Sequence, residues 1–111
     1  MGFVVLDELE KAVVTPKHST AYGEVVTGDN VELGRLKYKE GEGANMHSHP
    51  HEQIMVVLSG RVRMTLNGEV QECGPGTGFH AAPHQPHRLE ALEDSVVISC
   101  KNVLDGAGHK I

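Results

Sequence analysis

The stretch from Arg61 to Glu72 constrains this chain more than any other. Arg61-Val62-Arg63-Met64-Thr65-Leu66 alternates strictly, so Val62, Met64 and Leu66 share one face of an extended segment and Arg61, Arg63 and Thr65 the other. Asn67-Gly68 follows at once. That dipeptide suits a two-residue type I′ hairpin, because both positions tolerate positive φ. Glu69–Cys73 is the expected return strand, broken by Gly74-Pro75-Gly76.

The same grammar runs through the rest of the chain. Val31–Tyr38 half-alternates and ends at Glu40-Gly41-Glu42-Gly43. Gln53–Ser59 is a dense apolar, β-branched run that reads as a strand buried on both sides. Thr77–Ala81, His87–Ala91 and Ser95–Val103 are further strands, with corners at Pro83–Pro86 and Leu92-Glu93-Asp94. Acidic residues early in Asp7–Val14 allow a short helical turn there. Nine or ten short strands with a turn every 8–12 residues predict an all-β sandwich or small barrel. With 111 residues the chain supports one core and one domain, 1–111. Its barrel core is expected over about 19–103, with a Gly-rich tail at 104–111 free to fray.

Composition narrows the function. Fifteen acidic residues outweigh ten basic ones and no basic cluster stands out, which argues against a nucleic-acid partner. No apolar stretch is long enough to span a membrane, and the N-terminus lacks a signal-peptide pattern, so the expected location is cytoplasmic. Cys73 and Cys100 read as reduced thiols, without a CxxC spacing. Eight histidines stand out, six of them in two clusters: His47, His49 and His51, then His80, His84 and His87. In His47-Ser48-His49 the spacing of two puts both imidazoles on one face of a strand, which is how a strand offers two ligands to one ion. Imidazoles from several strands suit a borderline divalent ion such as Zn, Ni, Mn, Fe or Cu.

These residues resemble the two motifs of the cupin superfamily. The first reads G-x5-H-x-H-x3-4-E-x6-G, matched here by Gly41, His47, His49, Gln53 and Gly60. The second reads G-x5-P-x-G-x2-H-x3-N, matched by Gly76, Ala82-Pro83-His84 and His87, with His84 at the turn glycine and Ala91 at the asparagine. The resemblance implies a double-stranded β-helix, the jelly-roll barrel, with one divalent transition metal inside its mouth. The implied ligands are His47, His49, His87 and Gln53, the last standing where a Glu is usual. A neutral amide in place of a carboxylate leaves the site more positive, favouring bound anions and a more acidic bound water. Alternation turns Glu52 away from the interior, and Met55 and Val57 share the inward parity of Gln53 as its apolar floor. His51 is expected in a loop at the mouth, and His80 either just outside the ligands or exposed. His18 and His109 belong to no pattern.

Arg35 and Tyr38 are the candidate catalytic or substrate-holding residues, according to which parity of 31–38 faces inward. The segment His47–Ile54 resembles small cupins that open unsaturated uronate rings, which pair an HxH with a Gln following Glu. Those cupins contact the sugar through an Asp, a Phe and an Arg just past the last long strand. This chain has Lys101-Asn102-Val103-Leu104-Asp105 there and no Arg after Arg88. The leading expectation is a non-redox enzyme (isomerase, hydrolase or lyase) acting on a small polar or anionic molecule such as a sugar acid. An Fe, Mn or Cu dioxygenase and a non-catalytic ligand- or metal-binding barrel are the alternatives. Two Phe, two Tyr and no Trp leave little for aromatic stacking, which favours a small, oxygen-rich ligand. Cupins pair through N-terminal strands, so Phe3-Val4-Val5-Leu6 implies a homodimer.

Overall fold

The computed structural model describes residues 2–111. Ten strands follow one three-residue 3-10 turn, Leu6–Glu8, the only helical turn that the acidic segment near the N-terminus forms among the described residues. They are β1 (Ala12–Val13), β2 (Tyr22–Thr27), β3 (Val31–Tyr38), β4 (Gly43–His47), β5 (Gln53–Ser59), β6 (Val62–Leu66), β7 (Glu69–Cys73), β8 (Gly78–Ala81), β9 (His87–Ala91) and β10 (Ser95–Asn102). Two antiparallel sheets result, ordered β1-β2-β3-β10-β5-β8 and β4-β9-β6-β7. The chain crosses repeatedly between them, which makes the expected all-β jelly roll.

The β6–β7 hairpin forms as its sequence requires. Asn67 and Gly68 take φ of 49° and 86°, and Val62 pairs with Cys73 at the far end. Val62 and Met64 point into the barrel with Leu89 and Ala91 of the same sheet. They meet Leu36, Met55, Val57 and Val97 from the six-stranded sheet. Each such aliphatic burial contributes about 1.5–3 kcal/mol, and Val57, Val62 and Val97 are fully covered.

One strand departs from expectation. β5 is buried on a single face: Gln53, Met55 and Val57 are inside, whereas Ile54 and Leu58 are half exposed on the outer face of the six-stranded sheet. A run of apolar residues cannot reveal its own parity, and the outer face of β5 stays half exposed at Ile54 and Leu58. The tail also departs. Instead of fraying, it turns back over the barrel mouth, with Gly108 and His109 buried. A Cβ on residue 108 would sit 2.9–3.1 Å from the Glu32 side chain, so any residue but glycine there would have to push that buried carboxylate aside.

Candidate metal centre

Three strands and one loop deliver the site. His47 ends β4 and lies opposite His87, the first residue of β9, so their rings face each other 4.5 Å apart. His49 lies past the end of β4, in the loop before β5, and Gln53 opens β5. The His47–Ser48–His49 spacing therefore works across a strand end rather than along a strand. The loop is held in place by His84, whose backbone N–H donates to the His49 carbonyl at 2.7 Å. His84 itself takes φ of 67°, the left-handed conformation that the turn position demands.

Each imidazole is oriented by a carbonyl. Nδ1 of His47 lies 2.7 Å from the Asn45 oxygen, Nδ1 of His49 3.0 Å from that of His51, and Nδ1 of His87 2.8 Å from that of Gln85. A carbonyl only accepts, so each neutral ring carries its proton on Nδ1 and turns a bare Nε2 inward. Burial is the main force keeping the rings neutral. It pushes His47 and His49 down to about 4, against the opposing pull of those carbonyls, and lowers His87 as well. Lys101 adds to the effect by its positive charge.

Two observations show that this donor set fits a cation. Nε2 of His87 is buried without any hydrogen-bond partner. In addition, the bare Nε2 of His49 faces Oε1 of Gln53 at 3.0 Å, while the amide nitrogen of Gln53 donates to Ser99 Oγ at 2.9 Å. Two acceptors face each other, and one proton on His49 cannot serve both the His51 carbonyl and Gln53. Donors 3.0 Å apart are neighbours on one ion when the bonds are about 2.1 Å long and near a right angle. One donor atom from each of His47, His49 and His87 lies within 4.8 Å of the others. An ion held by three imidazoles and an amide oxygen resolves both the orphan and the clash.

The other candidates divide between inside and outside. Tyr38 lines the cavity beside these residues, 4% exposed, its hydroxyl 3.2 Å from Ser19 Oγ. Burial raises it, with Ser19 opposing, so it stays a phenol. Arg35 does not reach the cavity. The inward parity of β3 belongs to Glu32, Gly34, Leu36 and Tyr38, and Arg35 lies on the outer face, donating to Glu24 at 2.7 Å and Asp7 at 2.6 Å. Glu52 points outward and pairs with the exposed His80 at 2.6 Å. His51, beside the ligands as expected of a loop residue, is buried and its Nε2 donates to the Ala107 carbonyl at 2.9 Å. His18 stacks flat on the outer side of His47, 4.7 Å away. Met55 forms part of the cavity wall, with Phe79 and Leu89.

Sequence reasoning missed Lys101, Ser99, Glu32 and His109. Glu32, Lys101 and Gln53 form one row across β3, β10 and β5, all facing inward. Lys101 is 4% exposed, lines the cavity, and has no carboxylate within ion-pair distance among the described residues. Burial lowers its ammonium to about 8, against the attraction of Glu32. Ser95, Val97, Ser99 and Lys101 alternate with Val96, Ile98 and Cys100, an alternation that marks a strand but not which of its faces is interior.

The family profile of the Cupin domain matches residues 34–99, more than half of the chain. The chain is a cupin. Its fold is close to that of an RmlC-like cupin from Shewanella frigidimarina (TM-score 0.84, 15% identity, 95% of this chain and 93% of that one). KdgF from Halomonas sp. is similar at 28% identity, with a TM-score of 0.82 over 95% of this cupin and 96% of that chain. The polyketide cyclase RemF from Streptomyces resistomycificus shares the fold at 18% identity and a TM-score of 0.77, over 92% and 79% of the two chains. Among curated proteins, mannose-1-phosphate guanylyltransferase ManC of Salmonella typhimurium is 31% identical over 70 residues. That match covers 62% of this cupin and only 15% of the transferase. No helix of the described residues is long and apolar enough to cross a membrane.

Proposed function

We propose that this cupin is a metal-dependent, non-redox enzyme whose substrate is a small oxygen-rich anion of the sugar-acid kind. The observation that carries this reading is Lys101, a buried cation in the same row as Gln53 and beside a donor set with no negative charge. A divalent ion there would add further positive charge, balanced inside the barrel only by Glu32, which is already engaged by His109 and Thr27. A carboxylate or enolate entering the cavity therefore meets complementary charge on two sides. The likeness to Halomonas KdgF, and to ring-opening cupins in the His47–Ile54 segment, supports a uronate-like compound. Lys101 at the end of the last long strand gives this cupin its own contact to that compound.

The cavity beside the ligands is about 30 Å³, enough for an ion and one end of a ligand. His47 is the ligand partly open to solvent, so the substrate's acidic end enters past it while the rest stays at the mouth. When bound, the metal supplies Lewis-acid polarisation of a carbonyl or carboxylate oxygen. Lys101 Nζ holds the anion and, lying near 8, both gives and takes a proton near neutral pH. The Tyr38 phenol donates a hydrogen bond to a substrate oxygen, while Met55, Phe79 and Leu89 exclude water. Neutral Gln53 stabilises an oxidised metal less than a carboxylate does, which favours non-redox chemistry.

Metal-loaded protein incubated with unsaturated uronates and a panel of small keto and hydroxy acids tests the reading, with NMR of the products and an oxygen electrode. The expected result is metal-dependent conversion without oxygen uptake, reduced at least about tenfold in Lys101→Met. Stoichiometric oxygen uptake would establish a dioxygenase instead. Ligand-induced stabilisation without any conversion would establish a binding barrel. The half-exposed outer face of β5, with Ile54 and Leu58, and the exposed Phe3 support a homodimer. Light scattering of wild type against Leu58→Glu checks that assembly, with a dimer expected for the first and a monomer for the second.

A further inference from the structure

Beneath the metal ligands, a chain of buried polar groups runs from β3 through the C-terminal tail to Gln53. Glu32 Oε1 accepts the backbone N–H of His109 at 2.6 Å and its Nδ1 at 2.5 Å, and Oε2 accepts the Thr27 hydroxyl at 2.5 Å. His109 Nε2 lies 2.8 Å from Ser99 Oγ, and Ser99 Oγ lies 2.9 Å from the amide nitrogen of Gln53. Glu32, His109 and Ser99 are 2%, 1% and 0% exposed.

We propose that Glu32, His109 and Ser99 are positioning residues that dictate which end of the Gln53 amide faces the metal, and so couple docking of the C-terminal tail to metal binding. This rests on the metal reading of the site. The direction of every hydrogen bond follows from the first, because His109 is 1% exposed and burial keeps its ring neutral. The Glu32 carboxylate only accepts, so the His109 proton sits on Nδ1. Neutral His109 then offers a lone pair at Nε2, and Ser99 must donate its single proton to it. The Ser99 oxygen, its proton committed, accepts from the Gln53 NH2. Only the amide oxygen is left for the ion.

An amide has two unlike ends, and the reversed one would present N–H groups to the cation. A sequence with glutamate at this position has no such requirement, because both carboxylate oxygens are ligands. The relay is therefore the counterpart of the Glu-to-Gln exchange in the first cupin motif. It resembles an acid–histidine–serine triad, but Ser99 is wholly buried and does not line the cavity, so it is not placed as a nucleophile.

The tail supplies the central member. Thr15 Oγ1 donates to the His109 carbonyl at 2.7 Å and His51 Nε2 to that of Ala107 at 2.9 Å, and Gly108 packs against Glu32. His51 also offers its own carbonyl to ligand His49, so the loop that orients a ligand also holds the tail. If tail docking orients Gln53, then by linkage metal binding must stabilise the docked tail by the same factor.

The test compares Zn²⁺ affinity, by chelator competition, for wild type, Ser99→Ala and Ser99→Thr, each with Gln53 or with Gln53→Glu. With Gln53 present, loss of the hydroxyl should weaken binding about tenfold. Threonine should restore it to within about threefold. With Gln53→Glu, the same alanine change should cost less than about threefold, because the carboxylate needs no orienting. Equal losses in the two backgrounds, or no loss with Gln53, would overturn the proposal. Should the alanine variant not fold, hydrogen exchange of wild type decides. Zn²⁺ should slow exchange at Ala107–His109 about tenfold, whereas unchanged exchange would overturn the coupling. A wild type that binds no Zn²⁺ overturns the metal reading itself, which is a different result from metal binding indifferent to Ser99.

Discussion

Two buried glutamates on neighbouring strands fasten the two ends of this chain, and they do so by different chemistry. Glu24, on β2, is 1% exposed on the outer side of the six-stranded sheet, where Arg35 and Lys11 reach it at 2.7 and 3.1 Å. Arg35 extends the link to Asp7 and so pins the N-terminal segment. Glu32, on β3, faces inward and pins the C-terminal tail through His109. The outer link is made of full charges, ends in solvent at Asp7, and leaves Oε2 of Glu24 without a partner. The inner link is dry, uses a neutral imidazole, employs both carboxylate oxygens, and ends at a metal ligand. A charged anchor needs only attraction. A neutral hydrogen-bonded chain also carries direction, and direction is what an amide ligand requires.

The comparison predicts unequal damage. His109→Ala removes the ring donor from a buried carboxylate, leaving it the backbone N–H of residue 109 and the Thr27 hydroxyl, and about 3 kcal/mol of stability should be lost. Metal affinity should fall with it, as read by chemical unfolding and chelator competition in parallel. Arg35→Met should cost roughly half as much stability, because Lys11 remains on Glu24 and the Asp7 end of the link is exposed. Its metal affinity should stay within about twofold of wild type. A large loss of affinity in Arg35→Met would erase the distinction between the two anchors.

Acid should separate them as well. Hydrogen bonding from Arg35 is the largest influence holding Glu24 at about 2. For Glu32, burial opposes ionisation most strongly, but the hydrogen bonds from His109 and Thr27 outweigh it and hold that carboxyl at about 2 too. Both lie below the ordinary carboxylate value, so their stabilisation is complete above about 4.5 and disappears as pH falls towards 2. His47 and His49 are lowered from 6.5 to about 4, so metal-free protein should lose stability earlier, between about pH 6.5 and 4. A His47→Gln/His49→Gln variant should lack most of that earlier decline in a pH series of unfolding temperatures. The smallest expected effect is a null one. Because His47 and His49 stay neutral down to about 4 and burial lowers His87 as well, Zn²⁺ affinity should change little between pH 7 and 5.5, by chelator competition.

The strands were legible because alternation and turn residues are local signals. Arg61–Leu66 with Asn67-Gly68 names its own hairpin, and the two histidine groups stand at motif spacings. The parity of Val31–Tyr38 was not legible, because Leu33 and Leu36 lie on opposite faces, and Arg35 therefore remained a candidate until the register put it outside. The relay was hidden for another reason. Glu32 and His109 are 77 positions apart, and no local pattern marks a histidine in a Gly-rich tail as the partner of a strand glutamate. Lys101 was concealed by small and apolar residues on both faces of β10, where only the register with Gln53 shows which side is interior.

The central claim is that His47, His49, His87 and Gln53 hold a metal. The most direct measurement is element-resolved metal analysis of protein purified without chelator or nickel resin, beside a His47→Ala/His87→Ala variant. One divalent transition-metal ion per wild-type chain, and almost none in the variant, is the predicted result. Equal metal content in both proteins, or none in the wild type after incubation with Zn²⁺, Ni²⁺, Mn²⁺, Fe²⁺ and Cu²⁺ in turn, would contradict it.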